Sequence, residues 1–260
     1  MIISVIARII ILSDHGIFKI KSMIHKITQE IGDLLGLASS SWLTTVAAGG
    51  TIASLGRGRL DLANYGDTRN IMHADEITQA VPELAEIAEI VPIRFRNMPA
   101  IEIGPKDWLD LNRAVHAAAA ANPPPTGIVV THGTATLEET AYFLSLALKI
   151  RCPVVVTGSQ RPFSAVSSEA PLNLISAVRV AASPGARGLG VLVVLNEEIH
   201  AAREVTKTDT YRVQAFQAPG LGALGYADSD RIAIYRAPLR QHTERTPFDV
   251  RGAKIGRAHV

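Results

Sequence analysis

The sequence predicts an α/β fold, a doubly wound, mostly parallel sheet with flanking helices, and three observations carry that reading. First, short apolar runs rich in Val and Ile recur from residue 43 onward: WLTTVAA (42–48), GIVV (127–130), PVVVTG (153–158) and GVLVVLN (190–196). They show no in–out alternation, as expected of strands covered on both faces. Second, helix-length segments lie between them. Third, each run ends in a polar turn, and doubly wound domains bind ligands at the carboxyl ends of their strands.

Taken in order, the chain opens with MIISVIARIIILSDHGIF (1–18), an apolar stretch interrupted by Arg8. It is too short to span a bilayer, which takes ~18 apolar residues, and it lacks the charge-first order of a signal peptide. Residues 1–42 therefore read as an atypical extension, with an amphipathic helix at 21–37 (KSMIHKITQEIGDLLGL) and a cytoplasmic location expected, export being the alternative that the small residues of GLASSSW leave open. The first strand runs into GGTIAS (49–54). Helices are predicted at 105–121 (PKDWLDLNRAVHAAAAA), 137–150 (LEETAYFLSLALKI) and 169–183 (EAPLNLISAVRVAAS), and the last strand runs into EEIHAAREVTKTDT (197–210).

Composition narrows the function. At 260 residues, 47% hydrophobic and 19% charged, the chain has material for one or two domains with a real core. A net charge of +2 does not indicate a nucleic-acid binder, and no basic cluster interleaved with aromatics occurs. The single cysteine, Cys152, forms no internal disulfide, and neither CxxC nor Cys/His metal spacing occurs; a buried, inert thiol is expected and no metal.

The strand-end turns carry the chemistry. In AAGGTIAS, Gly49 and Gly50 let the backbone bend closely, and Thr51 stands at the mouth as a candidate acceptor or nucleophile, with neighbouring N–H groups to stabilise an oxyanion. A phosphate turn is the blander reading, but GxGxxG and GxxxxGK[ST] are both missing. In THGTATLEE (131–139), Thr136 and Glu139 have the spacing of a capping box. That leaves Thr134 for other work and His132 as a hydrogen-bonded turn residue rather than a base. In EVTKTDTYRV (204–213), Lys207 lies between two threonines; a solvated surface lysine is the blander reading, whereas a lysine held in a cleft can lose its proton and activate a hydroxyl.

With these turns in order, the chain resembles the bacterial-type L-asparaginase/glutaminase family. GGTIAS, AVPEL, VVTHGTATLEETAYFL, PVVVTGSQRP, PLNLISAV, GVLVVLNEEIHAAREVTKT and HTERTPFDV carry the resemblance over about residues 43–250. It implies an amidohydrolase with a threonine nucleophile, no cofactor, and a small-molecule amide as its partner, without nucleic acid or membrane. Thr51 matches the first catalytic threonine, Tyr65 the lid tyrosine that activates it, Thr134 the second threonine, and Lys207 the lysine bonded to it. Gly50, Gly133, Ala100 and Ala135 fall at substrate-binding positions.

Two positions depart from the family pattern. Its motif THGTDT reads THGTAT here, so Ala135 replaces the aspartate that pairs with the substrate α-ammonium group; Ala100 stands where a serine touches the substrate carboxylate. Without that aspartate Lys207 is expected to deprotonate more easily, and the substrate need not be L-asparagine. Glu102 is a candidate replacement acid. A non-catalytic small-molecule binder is the alternative, and an amidotransferase subunit a third reading that no visible tRNA-binding segment supports.

The resemblance also implies domain boundaries: the α/β domain at 43–241, the start of an interdomain hinge at 242–254, and a C-terminal domain absent from this chain. The full-length form is expected to be a homo-oligomer, dimer or tetramer. The ending KIGRAHV is what a common sequencing adapter would encode in this frame, so residues 255–260 are expected to carry no biological meaning.

Overall fold

The computed structural model describes residues 42–255; the amphipathic helix expected at 21–37 lies outside them. By contact the chain divides into two units, and the fold below is that of the larger one, formed by 41–119 and 125–260. Its strands are β1 (Trp42–Ala47), β2 (Glu89–Arg94), β3 (Gly127–Thr131), β4 (Val154–Thr157), β5 (Val191–Leu195), β6 (Glu198–Ala201), β7 (Thr206–Lys207), β8 (Phe216–Gln217), β9 (Gly225–Ala227) and β10 (Ile232–Ile234). Its helices are α1 (Ala74–Gln79), α2 (Pro105–Ala119), α3 (Leu137–Ala147) and α4 (Ala170–Ala182).

Eight strands form one sheet in the order β10-β9-β6-β5-β4-β3-β1-β2. The pairs β1–β2, β1–β3, β3–β4 and β4–β5 are parallel, while β5–β6, β6–β9 and β9–β10 are antiparallel. The five parallel strands thus follow the order 2-1-3-4-5, whose switch point, between β1 and β3, is where such sheets open a ligand crevice.

Alternate residues of each apolar run enter opposite layers, which is why the runs carry no polar face. Leu43, Val129, Val155 and Leu192 pack with Leu174, Ala177, Val178 and Ala181 of α4. Val46, Ile128, Val130, Val154 and Val156 pack with Leu111 and Val115 of α2 and with Leu137, Ala141 and Leu144 of α3. All of these residues are buried. The three predicted helices are present but shorter, ending at Ala119, Ala147 and Ala182.

Segment 197–210 differs from its sequence reading. Asn196 and Glu197, with φ of 49° and 65°, reverse the chain in a two-residue turn, and 198–201 returns as β6. Lys207 then lies on the two-residue strand β7, paired with β8. No helix among the described residues is long and apolar enough to cross a membrane.

Candidate active site

The first turn leaves β1 through Gly49 and Gly50, both with φ near +88°, and enters a 3-10 turn at Thr51–Ala53. The second leaves β3 through His132 and Gly133 and opens α3. The two are pressed together at their glycines: a Cβ built on Gly50 would lie 2.2 Å from Gly133 Cα, and one on Gly133 would lie 2.6 Å from Ala100 Cβ. Only hydrogen side chains allow this approach, and it brings together the backbones that carry Thr51 and Thr134.

Each threonine has an ionisable partner. Thr51 Oγ1 and Tyr65 Oη share a hydrogen bond of 2.9 Å. Tyr65 starts a 3-10 turn, Tyr65–Thr68, inside a loop over 55–70. That loop is closed at its base by Leu55 N–H donating to Asn70 O at 2.8 Å. On the other side, Lys207 Nζ donates to Thr134 Oγ1 at 2.8 Å, and the Thr134 hydroxyl donates to Gln160 Oε1 at 2.9 Å. Thr134 is buried and Lys207 half-buried.

Lys207 is not left without anionic neighbours, as the sequence reading had it. The Glu138 carboxylate, in the first turn of α3, accepts the Lys207 backbone N–H, and its other oxygen accepts the Thr206 hydroxyl at 3.0 Å. Burial still lowers the Lys207 ammonium below its usual 10.5, opposed by the charges of Glu138 and Asp209.

The capping box expected from Thr136 and Glu139 does not form. Thr136 is the N-cap residue of α3 but makes no side-chain cap; its hydroxyl donates instead to Ala100 O at 2.8 Å. The loss of a cap bond is exchanged for a tie between the second turn and the segment carrying Ala100. The neighbouring acid that does work here is Glu138, which spacing alone did not distinguish from Glu139.

His132 is wholly buried. Its Nδ1 lies 2.8 Å from Gly133 O, a pure acceptor, so Nδ1 carries the proton; Nε2, 3.0 Å from Thr140 Oγ1, then accepts from that hydroxyl. Thr140 in turn accepts Trp108 Nε1–H at 2.9 Å. Burial lowers the imidazole from 6.5 to about 4, so it is neutral and props the turn. Cys152, half-buried, has its thiol pushed up to about 11 by the same desolvation, in keeping with an inert side chain.

Of the remaining candidates, Ala100 is buried at the junction of the two turns, whereas Ala135 and Glu102 are exposed. Besides Glu138, two residues of the site carried no role in the sequence reading, although GSQRP was among its matching segments. Gln160 follows β4, accepts from Thr134, and gives an Nε2–H to Asp209 O at 3.3 Å. Glu169 takes the backbone N–H of Gln160, and that of Arg161 at 3.4 Å, closing the loop between them. The tip of this loop reaches the Tyr65 loop: Gly56 N–H donates to Ser164 Oγ and Val166 N–H to Arg59 O, each at 2.8 Å.

Comparison with known proteins agrees with this geometry. The family profile described as Asparaginase, N-terminal matches residues 43–240. The probable periplasmic L-asparaginase of Haemophilus influenzae is 41% identical over 208 residues, covering 80% of this chain and 58% of that protein. The glutaminase-asparaginase of Pseudomonas fluorescens biotype A is 39% identical over 209 residues, covering 80% and 57%. Among solved structures, the probable cytoplasmic L-asparaginase of Campylobacter jejuni superposes with a TM-score of 0.73 at 34% identity, covering 82% of this chain and 62% of that one. The chain therefore spans less than two thirds of the length of these relatives. Over the part that it does span, with both threonine turns in place at the sheet's switch point, the chain belongs to the asparaginase family.

Proposed function

We propose that this chain is the nucleophile-bearing part of an amidohydrolase that cleaves a side-chain amide to acid and ammonia. The observation that carries the reading is the pairing of two hydroxyls at one switch point, each with its own proton handler: Thr51 with Tyr65 and Thr134 with Lys207. Thr51 is the nucleophile. As its oxygen attacks the amide carbon, its proton passes to the Tyr65 oxygen while the phenolic proton goes to the departing nitrogen, so the C–N bond breaks, ammonia leaves and an acyl-enzyme ester forms. Water then hydrolyses the ester, with the Thr134–Lys207 pair managing the second proton transfer. No cofactor is required by this scheme.

The substrate follows from the anchoring positions. Relatives named L-asparaginase and glutaminase-asparaginase point to amino-acid amides. Ala135 offers no carboxylate to an α-ammonium group, and a charge-assisted contact of that kind is worth ~1.5–3 kcal/mol. We therefore assign a preference shifted toward amides without the α-ammonium group by roughly ten- to hundredfold. In the full-length form the site belongs to a homo-oligomer, with residues 43–241 as its α/β domain and 242–254 as the start of a hinge. A cytoplasmic location is part of the same proposal; the relatives' names include both periplasmic and cytoplasmic proteins.

Ammonia release by the chain and by Thr51→Ala tests the mechanism. Loss of release in the variant, with folding intact by circular dichroism, supports it. Equal release by both ends Thr51 as nucleophile, and binding of amides without release by either favours the binding-module alternative.

A further inference from the structure

We propose that Gln160 is a positioning residue that sets the direction of the Thr134 proton and, through it, the protonation of Lys207. The inference deepens the amidohydrolase reading and rests on it for its meaning in catalysis. The Thr134 hydroxyl has one proton, and it points at Gln160 Oε1, 2.9 Å away. This leaves the Thr134 lone pairs to Lys207 Nζ–H at 2.8 Å. The amide cannot be turned over without loss, because its Nε2–H faces a carbonyl oxygen, that of Asp209. Asp209 is two residues from Lys207, so the amide closes a ring: Thr134 to Gln160, Gln160 to the Lys207 segment, Lys207 back to Thr134.

That ring favours one protonation state. For Lys207 to act as base on Thr134, the threonine O–H bond breaks, an N–H bond forms at Nζ, and the electron pair stays on Oγ1. The hydroxyl proton must first swing away from Gln160 toward the amine lone pair. Gln160 therefore holds Lys207 as the donor, a role that the ammonium fills with a stronger bond than the neutral amine, until something displaces the Thr134 proton. The charged groups facing Lys207 are Glu138 from α3, bonded to Thr206 and to the Lys207 backbone, and Asp209 from its own segment, whose backbone carbonyl accepts from Gln160.

Gln160 is also held from outside the pair. The Glu169 carboxylate fixes its backbone N–H, and the 161–168 loop carries the contacts of Ser164 and Val166 to the Tyr65 loop. One short loop thus touches both threonine turns, through Gln160 on one and through the Tyr65 loop on the other.

The test is the titration of Lys207 itself, followed by the ε-carbon resonance of the full chain labelled with 13C-lysine and assigned by its absence in Lys207→Arg. Gln160→Met removes the acceptor, so the Lys207 midpoint should fall by about half a pH unit to one unit, the equivalent of one hydrogen bond. Gln160→Glu keeps an acceptor and adds a charge, so the midpoint should rise. A merely structural role would lower the melting temperature of both variants and leave both midpoints where they were, and that result overturns the proposal. Opposite shifts support it even if the chain hydrolyses no amide, in which case the functional reading falls and the positioning role stands.

Discussion

His132 offers a quantitative test of how the second turn is built. The imidazole is wholly buried, and its two bonds are satisfied only in the neutral form: Nδ1–H to Gly133 O, Nε2 from the Thr140 hydroxyl. Protonation would place a second N–H against a hydroxyl that is itself donating, and would put a charge behind the turn. Burial holds the folded value at about 4, against 6.5 for the free side chain. Between those values the unfolded chain binds the extra proton and the folded one does not, so stability falls as pH falls. The contribution is present in full above 6.5 and is lost progressively down to and through 4. A gap of about 2.5 pH units at about 1.4 kcal/mol each makes the loss about 3 kcal/mol. Urea unfolding of the chain and of His132→Gln, at pH 7 and pH 4, isolates it from the carboxylates, which are common to both. The glutamine can donate to Gly133 and accept from Thr140 but does not titrate, so its loss on acidification should be smaller by about 3 kcal/mol. Equal losses in the two proteins, or an imidazole titrating near 6.5 by NMR, would refute the reasoning.

Two further predictions follow from the turns. Ala135→Asp places a carboxylate at an exposed position without disturbing the core. The ratio of kcat/KM for L-asparagine over succinamic acid, which lacks the α-amino group, should then rise roughly ten- to hundredfold; an unchanged ratio would remove position 135 from substrate selection. Gly50→Ala forces a Cβ to within 2.2 Å of Gly133 Cα at a φ of +88°. Strain and overpacking should together cost about 3 kcal/mol or more in urea unfolding, and a loss below about 1 kcal/mol would show that the turns are not in contact as described.

The architecture was legible because its main signal, unbroken Val/Ile runs, is a direct consequence of covering a sheet on both faces. Alternate residues of 127–131 and 154–157 do enter opposite layers. The antiparallel strands β6, β9 and β10 were not legible: at three or four residues each they leave too short a pattern, and β6 is made by a turn whose two positive φ values fall on Asn and Glu rather than Gly. At the candidate site, Thr51, Thr134 and Lys207 could be named from the sequence because each follows a readable strand or lies in a distinctive polar segment, and the structure brings Lys207 to Thr134. Gln160, Glu138 and Glu169 act through bonds to groups 26, 69 and 9 residues away, and local spacing records none of those partners. Thr136 and Glu139 mark the opposite failure. Their spacing was right for a cap, but a carbonyl supplied by tertiary structure, that of Ala100, competed for the hydroxyl and won.

The two alanines at the positions proposed for substrate binding differ in what surrounds them, and the packing says how. Ala100 is buried, its carbonyl is taken by Thr136, and its methyl lies where Gly133 has no side chain to meet it. A larger residue there presses on the backbone that joins the two threonine turns, so position 100 is bound up with the scaffold. Ala135 faces outward beside a threonine whose hydroxyl is already held on both sides, by Lys207 and by Gln160. Its side chain supports none of those contacts. A change at position 135 therefore leaves the bonds of Thr134 in place, and the Thr134–Lys207 pair forms without a carboxylate there.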